Sequence, residues 1–189
     1  MVKTYFRLKH AISLFFIMSC MLMTACNYHL QGEMQLAAPL HRLYLQAADP
    51  YGYLVRNLAQ YLKMSNVQLV SSPDQANLIL AILQDSNSQV LLSVSGTQQT
   101  RQYNLITTVQ FEVIDRAGQV IVSPQTLSES RPITTQSNQI LGSSNEATLF
   151  YQQMRRSLAY AIMNRLASQE ITQTILRAYP TSRATKNKS

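Results

Sequence analysis

From Tyr103 to Ile114 apolar and polar residues alternate: Leu105, Thr107, Val109, Phe111 and Val113 on one side, Asn104, Thr108, Gln110 and Glu112 on the other. A period of two predicts a strand with one buried face. Asp115-Arg116-Ala117-Gly118 then predicts a hairpin turn and Val120 onward a return strand through Ser130, with Pro124 marking a bulge or an edge. Upstream, His41 to Leu45 reads as a first strand and Val67 to Val70 as a short second one. The apolar run Ala76 to Leu83 resumes as Val90 to Ser95, so 76–95 is either two strands joined by a turn at Asp85 to Ser88 or one long interrupted strand, and the second reading is preferred.

Two segments carry helical spacing instead. Asp49-Pro50 offers a cap and a first-turn proline, and Leu54, Leu58, Tyr61 and Leu62 recur on one face, which predicts a helix over 50–64 ended by Ser65-Asn66. Ser143-Ser144-Asn145-Glu146 has the form of a capping box, followed by a stripe of Phe150, Met154, Leu158, Ala161, Ile162 and Leu166. The order strand, helix, antiparallel strands, helix predicts an α+β fold. It is a two-layer sandwich with two helices on one face of a mixed, mainly antiparallel sheet of four or five strands.

The N-terminal pattern is of another kind. Met1 to His10 is basic and Ala11 to Thr24 apolar, the two parts of a secretory signal peptide. Met23-Thr24-Ala25-Cys26 resembles a bacterial lipobox, with Cys26 as the acylated residue; Ile17-Met18-Ser19-Cys20 is a weaker match. The expected organisation is a signal peptide over 1–25, a lipidated tether over 26–40, one domain over 41–170 and a basic, disordered tail over 171–189. Acyl chains contribute about 0.8 kcal/mol per buried methylene, so a multiply acylated Cys26 anchors the chain without spanning the bilayer. Asn27 after the Cys favours outer-membrane delivery, by analogy with lipoprotein sorting.

Charge narrows the function. The formal net charge is +7, but three basic residues lie in the first 25 positions and Arg177, Arg183, Lys186 and Lys188 at the other end. The remaining nine balance nine acids, all between Glu33 and Glu170. No basic face is left for phosphate tracking, which argues against a nucleic-acid partner. Acylation of Cys26 leaves no second mature Cys, and His29 and His41 have no neighbour at metal-ligand spacing, so neither a metal site nor a cofactor is expected. There is no nucleophile elbow, no phosphate-binding glycine loop and no paired carboxylates, so no enzyme is expected. Only 13% of residues are charged, against about 25% in an ordinary domain. Ser, Thr, Asn and Gln crowd 84–89, 95–104 and 134–145, read as loops. Either the lineage is compositionally biased, or the domain is enclosed by a partner with a polar, wet interior such as an outer-membrane barrel.

Cys26-Asn27-Tyr28-His29-Leu30-Gln31-Gly32 resembles the mature N-terminal signature of the LptE lipoprotein family. Asp49-Pro50-Tyr51-Gly52, Arg101-Gln102-Tyr103-Asn104-Leu105 and Asn145-Glu146 with Met154-Arg155 extend the resemblance over roughly residues 10–170. The resemblance implies a plug and assembly factor inside the β-barrel LptD, in a 1:1 complex, that handles lipopolysaccharide on its way to the outer leaflet. This chain departs from the family where lipopolysaccharide contacts are expected. Ser95-Gly96-Thr97 and Ser143-Ser144 are uncharged, leaving Arg101 and Arg131 as the cations for lipid A phosphates. A lipoprotein activator of a cell-wall synthase is the alternative.

Overall fold

The computed structural model describes residues 34–97, 100–136 and 145–179. The expected signal peptide, Cys26 and Ser143, the expected cap, lie outside them. The described elements are a 3-10 turn at Ala38–His41, β1 (Arg42–Ala47), α1 (Tyr53–Met64), β2 (Gln68–Leu69), a 3-10 turn at Pro73–Gln75, β3 (Leu78–Val94), β4 (Thr100–Ile114), β5 (Val120–Gln136), α2 (Asn145–Leu166) and α3 (Gln169–Ala178). The sheet runs β2-β1-β3-β4-β5, with β1 parallel to β2 and β3 and the last three strands antiparallel. The expected α+β sandwich with five strands is therefore observed, with a third helix added.

One core holds the two layers together. Leu54, Leu58 and Leu62 of α1, Leu158, Ile162 and Leu166 of α2, and Ile171 and Ile175 of α3 pack on Leu43, Leu80, Val109, Phe111 and Val113. A smaller cluster of Leu105, Ile133, Ala147 and Met154 continues it under the first turns of α2. The alternation read in β4 is thus the division between core and open face. Thr107 faces inward and is buried because its hydroxyl donates to Asn87 Oδ1 at 3.0 Å.

Several boundaries moved. Helix α1 begins at Tyr53, not at residue 50, because the Asp49 carboxylate accepts from Tyr51 N–H at 3.1 Å and caps a turn instead of the helix. A Cβ at Gly52 would lie 2.9 Å from Asp49 Oδ2, so a larger residue there would push the capping carboxylate aside. The helix closes on Asn66 at φ +58°, a left-handed position asparagine tolerates. Segment 78–94 is one strand, and its bulges fall at Leu83 and Leu92, whereas Asp85 to Ser88 pair regularly with β4. Register also slips beside Pro124.

Both ends of the domain were drawn too tightly. Leu36, Ala37 and Leu40, read as tether, are buried in the core. Residues 169–178, mostly read as disordered tail, form α3, capped by Ser168 accepting from Ile171 N–H at 3.4 Å and held by the buried Ile171 and Ile175.

Candidate functional site

Register fixes what each face of the sheet displays. Counting outward from Thr107, the face away from the helices carries Gln84, Ser86, Ser88 and Val90 from β3. It carries Gln102, Asn104, Ile106, Thr108, Gln110 and Glu112 from β4, and Thr126, Ser128, Ser130, Pro132 and Thr134 from β5. Glu112 is the one charge among these positions. The side chains bond across strands: Thr108 Oγ1 lies 3.5 Å from Ser128 Oγ, Gln110 Nε2 donates to Thr126 Oγ1 at 3.3 Å, and Ser93 Oγ donates to Gln102 Oε1 at 3.3 Å. Of the polar stretches read as loops, 84–89 and 100–104 are strand, 95–97 is a loop as read, and 134–145 lies outside the described residues except for strand residues 134–136 and helical Asn145; on the outer face the strand residues make a field whose one charge is Glu112. Local composition misled at 84–89, which holds no Gly or Pro to turn the chain and takes its backbone partners from the neighbouring β4.

The sheet outruns its helical layer. Beyond Leu105 the hairpin of β3 and β4 continues, and Val90, Leu91, Leu92 and Val94 stand 45% to 53% exposed, an apolar band just below the hairpin loop. Ser95 closes that loop: its N–H donates to Thr100 O at 2.9 Å and its Oγ accepts from Thr100 N–H at 3.1 Å. The other end of the domain is where the chain enters the fold, with His41 Nδ1 3.2 Å from Asn66 O at the end of α1. Leu78 pairs with Leu43 there, so the 16 steps to Val94 extend the hairpin roughly 50 Å away.

The two arginines singled out by sequence sit on the helix side of this distal region. Arg101 pairs with Thr135 and Arg131 with Leu105, about 13 Å apart along the strands. Arg131 is engaged: Nη1 donates to Gln153 Oε1 at 2.7 Å and the guanidinium lies 5.1 Å from the Phe150 ring centroid. Arg101 is exposed and makes no side-chain hydrogen bond or ion pair among the described residues.

A group missed in the sequence braces the hairpin from behind. Arg155 Nε donates to both carboxylate oxygens of Asp85 at 2.9 Å, and Tyr151 donates to the Ser88 carbonyl at 3.2 Å. Burial pushes the Tyr151 phenol above its ordinary range, against the opposing pull of Arg155, so it stays a donor. The only signal was position: Tyr151 and Arg155 lie four apart on α2, beside the apolar stripe. Because the ion pair is partly shielded, Asp85→Ala is expected to lower stability by about 1 kcal/mol in a urea titration. An unchanged midpoint would mean that the brace carries no load.

Comparison with known proteins agrees with this architecture. The family model for LptE, lipopolysaccharide-assembly, matches residues 40–166. The LPS-assembly lipoprotein LptE of Yersinia enterocolitica is 29% identical over 161 residues, covering 84% of this chain and 77% of that protein. That of Pectobacterium atrosepticum is 27% identical over 170 residues, covering 87% and 91%. The crystal structure of rare lipoprotein B from Shewanella oneidensis superposes with a TM-score of 0.58 at 28% identity, over 69% of this chain and 97% of that one. A minor lipoprotein from Acinetobacter baumannii shares the fold, with a TM-score of 0.54 at 24% identity over 69% and 93%.

Proposed function

This chain belongs to the LptE family of lipopolysaccharide-assembly lipoproteins, whose role is non-enzymatic, and from that premise we propose that it is the lipid-anchored plug of an outer-membrane lipopolysaccharide translocon. It sits in the lumen of an LptD-type β-barrel, helps that barrel assemble, and assists passage of lipopolysaccharide to the outer leaflet. Acylated Cys26 holds it on the periplasmic side.

The outer face of the sheet, polar and without charge except for Glu112, carries this reading. A solvated domain face of that size normally mixes charges of both signs, whereas the lumen of an outer-membrane barrel is polar and wet and lies within hydrogen-bond reach on all sides. Ser, Thr, Asn and Gln ladders suit it because each group both donates and accepts, and none costs the desolvation of a charge. Length supports the reading as well. From the end where the chain enters the fold, a hairpin of roughly 50 Å matches the about 40–45 Å of a bilayer with its headgroups. The apolar band Val90 to Val94 and the free Arg101 would then face the acyl chains and phosphates of a passing lipid.

Tagged, acylated protein is to be recovered from its own envelope in mild detergent and its partner identified by mass spectrometry. One large β-barrel in equal amount is the expected result, together with lower barrel levels when this chain is depleted. A cell-wall synthase, or no barrel, would refute the proposal. For the lipid step, Arg101→Ala is expected to weaken binding of purified protein to lipopolysaccharide about tenfold, the loss of one charge-assisted hydrogen bond. Arg131→Ala is expected to change it less, because Arg131 already serves Gln153 and Phe150. Equal effects in a binding titration would contradict that assignment.

A further inference from the structure

Beyond Ile82 the strand β3 has lost one neighbour. Strand β1 pairs with it from Leu78 to Ile82 and stops at Ala47, while β3 runs on to Val94. Among the described residues nothing pairs with the far side of Leu83 to Val94, an open edge of about 36 Å. Open edges template the pairing of another chain, and proteins blunt them with Pro, Lys or Arg. The outer strand β5 is blunted in that way: it carries Pro124, Glu129, Arg131 and Pro132. The β3 edge has no proline and no cation, and its single charge, Asp85, is neutralised by Arg155 on α2. It also ends in four exposed apolar residues, Val90, Leu91, Leu92 and Val94. Where β1 stops, a crevice of about 530 Å3 lined by residues including Ala47, Ala48, Tyr51, Tyr53, Leu83 and Gln84 leaves the start of the edge accessible.

We infer that the Leu83–Val94 edge is a strand-addition site, and that its occupant is an extended, uncharged segment of the enclosing barrel protein, lying in line with β1. This rests on the plug reading above. The chemistry of the occupant follows from the edge. Its backbone supplies the ladder hydrogen bonds and its side chains alternate between the two faces. Small polar residues fit beside Gln84 to Ser88 and apolar residues beside Val90 to Val94. A second copy of this chain is a poorer occupant. An edge strip about 36 Å long and about 10 Å wide offers about 360 Å2, under half of the roughly 800 Å2 per partner of a stable interface. A segment already held around the plug needs only that strip.

The test uses the full acylated chain in its own envelope, with p-benzoylphenylalanine placed singly at Gln84, Ser86, Ser88 or Val90. Strand addition requires that all four cross-link to one stretch of the barrel, the partner residue moving by two each time the probe moves by two. Cross-links scattered over separate segments, absent at all four positions, joining two copies of this chain, or registered on another protein overturn the proposal. The unirradiated pull-down separates the two ideas. A barrel recovered in equal amount without a registered ladder sinks strand addition alone, and a missing barrel sinks the plug reading.

Discussion

Phe111→Ala is expected to lower the unfolding free energy by about 3–5 kcal/mol, a large fraction of the roughly 5–15 kcal/mol that a domain commonly has. Phe111 is the largest fully buried side chain, on β4 between Ile82 of β3 and Gln125 of β5, in the core shared by all three helices. Truncation leaves a cavity that none of these elements can collapse into without breaking strand register. Urea unfolding of the purified protein reads the loss directly. In cells the expected consequence is a fall in the amount of this protein and of its complex, with the complex that does form remaining competent. A shift under 1 kcal/mol would mean that the two layers are not joined through Phe111.

Thr108→Glu is expected to do the opposite: leave the fold alone and break the complex. Thr108 is on the outer face, opposite Ser86 and Ser128, with its hydroxyl 3.5 Å from Ser128 Oγ. In the free protein a glutamate there can reach water, so stability should change by no more than about 1 kcal/mol. Against the wall of a barrel the carboxylate has no cation on this face to pair with. Its desolvation is expected to cost about 2–4 kcal/mol, which is thirtyfold to several hundredfold in affinity. The comparison to make is the melting midpoint of the purified variant beside its recovery with the partner. Loss of both together would assign Thr108 to folding and remove the outer face from the interface.

What could be read in the sequence followed physical contrast. The β4 alternation and the leucine spacing of α1 separate apolar from polar residues sharply, and both elements came out where expected within a few residues. Helix α3 was hidden because only Ile171 and Ile175 mark its buried side, inside a basic stretch that resembled a solvated tail. Leu36 and Leu40 were hidden by the neighbouring lipid anchor, which made the whole segment read as tether. The candidate surface was half legible. Its composition pointed to a polar, uncharged contact, but the residues were assigned to loops, since Ser, Thr, Asn and Gln favour turns when considered one at a time. Only the pairing of 84–94 with 101–110 shows that they share a face. Arg131 illustrates the limit for single residues: a cation in sequence, it is occupied in the fold by Gln153 and Phe150.

The central claim is that the uncharged face is enclosed, and cysteine accessibility measures that most directly. The chain has two cysteines, Cys20 and Cys26. Under the proposed lipoprotein organisation the first leaves with the signal peptide and the second is acylated, so a cysteine introduced at Thr108 or Ser128 is then the one free thiol. The measurement is its rate of labelling by a water-soluble maleimide, in intact envelopes opened to the reagent and in the purified free protein. The account predicts fast labelling in the free protein and labelling slowed tenfold or more in the envelope. Equal rates in the two states would contradict it.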